Sequence, residues 1–254
     1  MGAARPGRRA PAPLQLSDRS APGPPGQPER RQLYGRKRGP RLRPGRQRLL
    51  ETRLPELVIH LPASGRLDPG SLFAPPVSAV WLEIGFGGGE HLAALATERP
   101  EVGFIGVEPF INGVARLLAL ADAARLQNIR LLVDDARLLL RVLPAASIER
   151  VFVLFPDPWP KLRQHKRRIV NPATVAEFAR IVVPGGEVRL ATDDADYARH
   201  MLWTMQGDGR FAWLAERAAD WRERPPDWPP TRYEQKALAA GRAAVYLRFE
   251  RVAG

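Results

Sequence analysis

Beyond residue 48 the chain alternates short apolar, β-branched runs with stretches whose apolar positions recur every three to four residues. Val80-Trp81-Leu82 leads into Gly85, and a helix is predicted over residues 90–99, stopped by Pro100. Phe104-Ile105-Gly106-Val107 reads as a second strand, and Ile111, Val114, Ala115, Leu118 and Ala121 follow at helical spacing. Residues 129–133 give a third strand. Val151-Phe152-Val153-Leu154-Phe155 gives a fourth, apolar without alternation, as a parallel strand covered on both faces requires. Asn171 with Pro172 marks a helix start, and Pro184-Gly185-Gly186 its predicted end. A fifth strand over 187–191, a helix over 194–205 and a late strand over 243–249 complete the pattern. Repeated strand–helix units predict an α/β fold, a doubly wound and mostly parallel sheet.

The first 48 residues break this pattern. They hold nine Pro and seven Gly, with 13 Arg or Lys against two acids and almost no large apolar side chains. Such a segment cannot bury enough surface to offset its ordering entropy, so an arm over 1–48 is expected to be largely disordered, with a folded domain over 49–254. The formal charge of +12 thereby sits almost wholly in the arm. Either a solubilising tail or a flexible phosphate-binding arm accounts for that run. The chain has no cysteine, which excludes disulfides, thiolate metal sites and a Cys nucleophile. No stretch is apolar enough for a membrane helix, and no apolar run follows Arg8-Arg9 as a secretory signal would require. A soluble, cytoplasmic protein without a metal is expected.

Candidate chemistry begins at Glu83-Ile84-Gly85-Phe86-Gly87-Gly88-Gly89-Glu90, a glycine-rich turn between the first strand and a helix. In doubly wound sheets ligands bind at such turns, outside the carboxyl ends of the strands. A dinucleotide fingerprint would place a sixth-position glycine where Glu90 stands. Glu83, two residues before Gly85, suits a cationic ligand better than a pyrophosphate. Glu108 ends the second strand, where a carboxylate can accept both ribose hydroxyls, and Asp134-Asp135 ends the third, within reach of an adenine amine. Together these acids point to S-adenosylmethionine rather than to a nicotinamide dinucleotide, although each alone could be a helix cap.

The fourth strand runs into Phe155-Pro156-Asp157-Pro158-Trp159, then Lys161, Arg163, Lys166, Arg167 and Arg168, five cations in eight residues with no acid. Here the sequence resembles the bacterial tRNA (guanine-N7-)-methyltransferase family, S-adenosylmethionine-dependent enzymes of Rossmann-like class I fold. The resemblance covers residues 33–251 and includes the glycine loop, Thr192-Asp193 and Thr231-Arg232-Tyr233-Glu234. The family often has His at Pro160 and Phe at Tyr233; neither difference removes a charge. The resemblance implies that Glu83, Gly85, Gly87, Glu108 and Asp135 line the cofactor site and that Asp157 sits at the catalytic centre. It further implies that Lys161, Asp193, Thr231, Arg232, Tyr233 and Glu234 belong to the substrate side, while Arg163, Lys166, Arg167 and Arg168 contact the RNA backbone. tRNA is the implied partner, with the chain acting as monomer or homodimer.

Guanine N7 carries a free lone pair and no proton, so methylating it calls for alignment rather than a base. None of His60, His91, His165 and His200 is assigned a catalytic role. Asp157 is expected to read the guanine N1–H and exocyclic amine. Trp159 reads either as a stacking surface for a displaced base or as core. Trp203 and Trp213 are expected in the core, and Trp221 and Trp228, near Arg222, Arg224 and Arg232, are candidates for stacking on nucleic acid. Two other readings stay open: a methyltransferase for exocyclic amines, whose fourth-strand motif would carry a second Pro where Trp159 stands, and a non-catalytic RNA-binding protein on the same fold.

Overall fold

Along β1 (Ala79–Ile84) successive side chains enter two different cores, Val80, Leu82 and Ile84 on one face and Trp81 on the other. This alternation is what a strand buried on both faces must show. In the computed structural model, which describes residues 33–35 and 37–253, β1 is central in a seven-stranded sheet. The other strands are β2 (Val102–Val107), β3 (Ile129–Leu132), β4 (Ile148–Leu154), β5 (Val182–Thr192), β6 (Phe211–Trp213) and β7 (Val245–Arg251). The order is β3-β2-β1-β4-β5-β7-β6, with β1 to β5 parallel and β7 antiparallel to both neighbours.

Helices cover both faces. Leu49, Leu50 and Leu57 from α1 (Pro44–Thr52) and α2 (Leu54–Leu57) join Leu92 and Leu95 of α3 (Glu90–Glu98) and Leu117 and Leu118 of α4 (Ile111–Ala123) in one core. On the other face α5 (Ala136–Val142), α6 (Pro172–Ile181) and α7 (Ala195–Gly207) supply Leu139, Phe178, Tyr197 and Met201. Two short helices, α8 (Ala219–Arg222) and α9 (Arg232–Ala239), precede β7. The doubly wound, mostly parallel sheet expected from the strand–helix alternation is therefore present. Among the described residues no helix is long and apolar enough to cross a membrane, and no cluster of three metal-ligating side chains forms.

Three differences from the sequence expectation have physical reasons. The ordered domain starts upstream of residue 49: α1 opens with Pro44, and the preceding segment is fixed by Ile111 N–H donating to Lys37 O and Gly39 N–H to Asn112 Oδ1. The disorder expected of residues 1–32 lies outside the described residues. Pro184-Gly185-Gly186 does not end a helix. Helix α6 stops at Ile181, and β5 starts at Val182 and carries the Pro-Gly-Gly run through a register shift opposite β4 between Ile148 and Arg150. Trp203 is not core but 82% exposed, because the buried stripe of α7 is set by Tyr197, Met201 and Met205, and residue 203 falls outside that phase. Trp213 packs against the core as expected.

Candidate active site

The chain runs out from β1 to β3 and returns to β4, so strand order reverses between β1 and β4. A crevice must open at the carboxyl ends there, and a cleft of about 370 Å³ occupies it. Its floor is the turn from β1 into α3. Gly85, Gly87 and Gly89 all have positive φ, and two close approaches restrict the loop further. A Cβ on Gly87 would lie 3.0 Å from the Tyr233 ring, and one on Gly113 of α4 would lie 2.1 Å from Gly87 O. The loop is thus pinned between α4 and α9.

Glu108, at the end of β2, is the principal tie. Its Oε2 accepts from Gly87 N–H at 2.8 Å and its Oε1 from Phe110 N–H at 2.9 Å. Burial pushes its carboxyl above the ordinary range; the two backbone donors oppose this, and the nearby charge of Asp157 adds to it. Asp135 caps α5, accepting from Arg137 N–H at 3.0 Å, with the Arg137 guanidinium 3.2 Å away. It is at once a helix cap and a lining residue of the cleft.

Opposite stands the segment after β4. Phe155 and Trp159 both adopt φ near +50°, at 49° and 46°, an uncommon conformation for residues with a side chain. They bracket Pro156-Asp157-Pro158 and leave Asp157 exposed at the cleft. Arg168 holds this turn from beneath, its Nε donating to Pro158 O at 2.9 Å and its Nη2 to Asp196 at 2.6 Å. Its guanidinium also lies 4.8 Å from the Tyr197 ring, whose buried hydroxyl is pushed up to about 12.

Of the residues singled out in the sequence, Gly85, Gly87, Glu108, Asp135, Asp157 and Tyr233 meet in this cleft, together with Arg167 and Trp159. Others lie outside its lining. Glu83 is 5% exposed and bonded by Oε2 to His91 Nδ1 at 2.8 Å. Asp193 pairs with Arg242 at 2.7 Å. Thr231 and Glu234 form the capping box of α9: Thr231 Oγ1 accepts from Glu234 N–H, and Glu234 Oε2 accepts from Thr231 N–H. Arg232 opens that helix. Glu234 is also buried against the Tyr246 hydroxyl and Arg224, and neither box residue is among those that line the cleft.

The basic run divides in the same way. Lys161, which precedes a 3-10 turn over Leu162–Arg167, and Arg163 and Lys166 on that turn are exposed. Arg168, expected on the RNA backbone, is 1% exposed, with Nε and Nη2 bonded to Pro158 O and Asp196. Trp228, a candidate for stacking, is core, packed edge-on to Phe152 and Tyr246, while Trp221 packs partly buried against the other core. Tyr34 enters the cleft unforeseen. It is the one aromatic residue in the first 48, and that isolation was its available signal. The partnership of His91 with Glu83 was likewise missed.

Comparison with known proteins agrees with this architecture. A family model described as a putative methyltransferase matches residues 78–247. The chain superposes on the 16S rRNA methyltransferase KamB with a TM-score of 0.51 at 16% identity, covering 78% of this chain and 99% of that one. The fold is thus that of the class I, Rossmann-like methyltransferases. The tRNA (guanine-N(7)-)-methyltransferase of Rhodospirillum rubrum is 51% identical over 222 residues, 86% of this chain and 87% of the relative. That of Nitrobacter hamburgensis is 50% identical over 219 residues, 86% of each chain. The chain belongs to the tRNA (guanine-N(7)-)-methyltransferase family.

Proposed function

We propose that this cytoplasmic protein transfers a methyl group from S-adenosylmethionine to N7 of a guanine in the variable loop of tRNA, with Asp157 orienting the base. The observation that carries the reading is one cleft lined by Glu108, Asp135, the glycine loop and an exposed Asp157, close in sequence to the exposed cations Arg163 and Lys166.

The residues present fit a nucleoside-bearing methyl donor. Glu108 spends one lone pair of each oxygen on the backbone and keeps others for ribose hydroxyls. Asp135 and its neighbours at the end of β3 would hold the adenine, with Ile84, Val107 and Ala136, which also line the cleft, as apolar walls. Glu83, steadied by His91, complements the donor's cationic end. When bound there, S-adenosylmethionine would supply a sulfonium-activated methyl group open to direct displacement by the N7 lone pair, with the thioether as leaving group, and the methylated base would carry the positive charge.

No group in the cleft has to remove a proton, since N7 has none. The contribution of the chain is alignment, where an error of about 1 Å can cost roughly a hundredfold in rate. Asp157 accepts from guanine N1–H and the exocyclic amine, a pair that adenine does not present; such a bidentate contact discriminates by about 1–3 kcal/mol. The base leaves its stack to reach the carboxylate. Lys161 and Asp193 flank the substrate side, and Thr231, Arg232 and Glu234 act through α9, which holds Tyr233 at the cleft.

The test is incubation with tRNA and a labelled methyl donor, followed by mapping of the modified base and atom. Label at guanine N7 is expected, with a drop of about a hundredfold or more in Asp157→Ala while donor binding by calorimetry persists. Label on an exocyclic amine, or tRNA binding without transfer, would replace this reading with one of the two alternatives; undiminished turnover in Asp157→Ala removes the assigned role of that carboxylate.

A further inference from the structure

Among the residues that line the cleft, three planar groups meet. The Arg167 guanidinium carbon lies 5.2 Å from the centroid of the Tyr34 ring and 4.9 Å from that of Trp159. The two rings face each other edge to face with centroids 6.4 Å apart. They come from segments far apart in sequence. Trp159 closes the turn that presents Asp157, and Tyr34 comes from the stretch clipped onto the start of α4 through Lys37 O, Gly39 N–H and the Asn112 amide, which donates to Pro40 O. All three side chains line the cleft that holds Asp157.

The guanidinium here contrasts with its neighbour. Arg168 is satisfied by Pro158 O and Asp196. Arg167 meets aromatic faces, and its Nε is buried without a hydrogen-bond partner among the described residues. A buried N–H without an acceptor costs free energy, so this position is a poor permanent home for the group. What the corner does offer is two π faces for a flat, delocalised cation. A guanine methylated at N7 is also a flat, delocalised cation, and it leaves the reaction with a positive charge that the unmodified base lacks.

We infer that Tyr34 and Trp159 form a cation-selective seat for the target purine, and that the Arg167 guanidinium occupies this seat in the free protein until the base displaces it. The inference rests on the proposed N7 chemistry and adds a determinant to it. Charge that appears on the base as N7 is alkylated is met by two ring faces, which favour the alkylated form over guanine itself. Arg167, once displaced, is a cation at the mouth of the cleft, available to the RNA backbone. Tyr34 thereby gives the N-terminal segment a direct contact with substrate.

The probes are 7-methylguanosine and guanosine, both lacking phosphate, titrated into the full chain without methyl donor. Wild-type protein is expected to prefer 7-methylguanosine by roughly fivefold, the scale of one cation–π contact. Tyr34→Phe keeps the preference, and Tyr34→Leu and Trp159→Leu abolish it. Arg167→Ala, which removes the competing cation, binds 7-methylguanosine several-fold more tightly than wild type; an arginine that served only phosphates would leave nucleoside binding unchanged. Equal binding of the two nucleosides by wild type, or a preference surviving in Tyr34→Leu, overturns the inference. So does an unchanged affinity in Arg167→Ala. Thermal unfolding of each variant reports folding, and Tyr34→Phe with Arg167→Ala keeps the test decisive where a leucine variant fails to fold. Mapping the methyl on tRNA separates the two levels: label at N7 without nucleoside preference defeats only the seat, and label elsewhere defeats the underlying chemistry.

Discussion

Glu108 is asked to do two things with one carboxylate. It braces the glycine loop through Gly87 and Phe110 N–H, and in the proposed function it receives the ribose of the donor. Burial raises its pKa, with the charge of Asp157 adding to the effect. For an acid whose folded pKa is raised, the stability contribution is present below the unfolded pKa and is lost as pH rises through the folded one. Hydroxyl donors on a ribose favour the ionised form, so donor affinity runs the other way. Across the window from the ordinary glutamate pKa upward, stability of the free protein should fall with pH while donor affinity rises. Glu108→Gln should flatten both dependences and weaken donor binding; calorimetry and thermal unfolding over a pH series read the two slopes, and a wild-type affinity that is flat in that window counts against the ribose assignment. At this scale the sequence was informative wherever a strand end fixes what a side chain faces, as for Glu108, Asp135 and Asp157. It was silent where a partner comes from elsewhere in the fold. Glu83 meets His91 across the glycine loop, and Arg168 turns inward to Asp196 of α7, because burial of those groups depends on packing that spacing along the chain does not encode.

Helix α9 shows the same division one level up. Thr231-Arg232-Tyr233-Glu234 matches the S/T-x-x-E signature of a capping box, so the start of this helix could have been read from the sequence, although the motif first invited a substrate role for each residue. The box is present, and Glu234 is tied further to Tyr246 of β7 and to Arg224. Its consequence for the cleft is indirect: it fixes the turn that sets Tyr233 against Gly87. Thr231→Ala should cost about 1 kcal/mol of stability, the usual loss for an N-cap, and reduce turnover through displacement of Tyr233. Thr231→Ser, which keeps the hydroxyl, should restore both. Loss of turnover in both variants at wild-type stability would instead assign Thr231 a contact with the nucleotide. Other elements followed their patterns closely, with α3, α4 and the parallel strands β1 to β4 near their expected positions. The exceptions are the ones that periodicity handles poorly: β6 has only three residues, and β5 absorbs Pro184-Gly185-Gly186 as an irregularity that resembles a helix stop.

For the molecule as a whole, the +12 charge is concentrated rather than spread, and the structure separates cations that can reach a polyanion from those that cannot. Arg163 and Lys166 are exposed on the turn beside Asp157, whereas Arg168, two residues on from Lys166, is a buried strut. A count of charges in the run treats all of these alike; solvent access does not. tRNA binding through phosphates releases counterions, and the salt slope reports how many contacts are made, about 0.7–0.9 for each phosphate neutralised. The double variant Arg163→Gln, Lys166→Gln should therefore weaken tRNA binding and shallow the slope by up to roughly 1.4–1.8, with unfolding midpoints unchanged. Arg168→Gln should do the reverse. It leaves the Pro158 carbonyl and Asp196 without their donor, lowering stability by about 1–3 kcal/mol, while the slope stays near wild type because no phosphate contact is lost. Binding isotherms at a series of salt concentrations, together with denaturant unfolding, distinguish these outcomes. A slope that falls for Arg168→Gln but not for the double variant would mean that this strut is released on binding and that the exposed pair is only a solvated face.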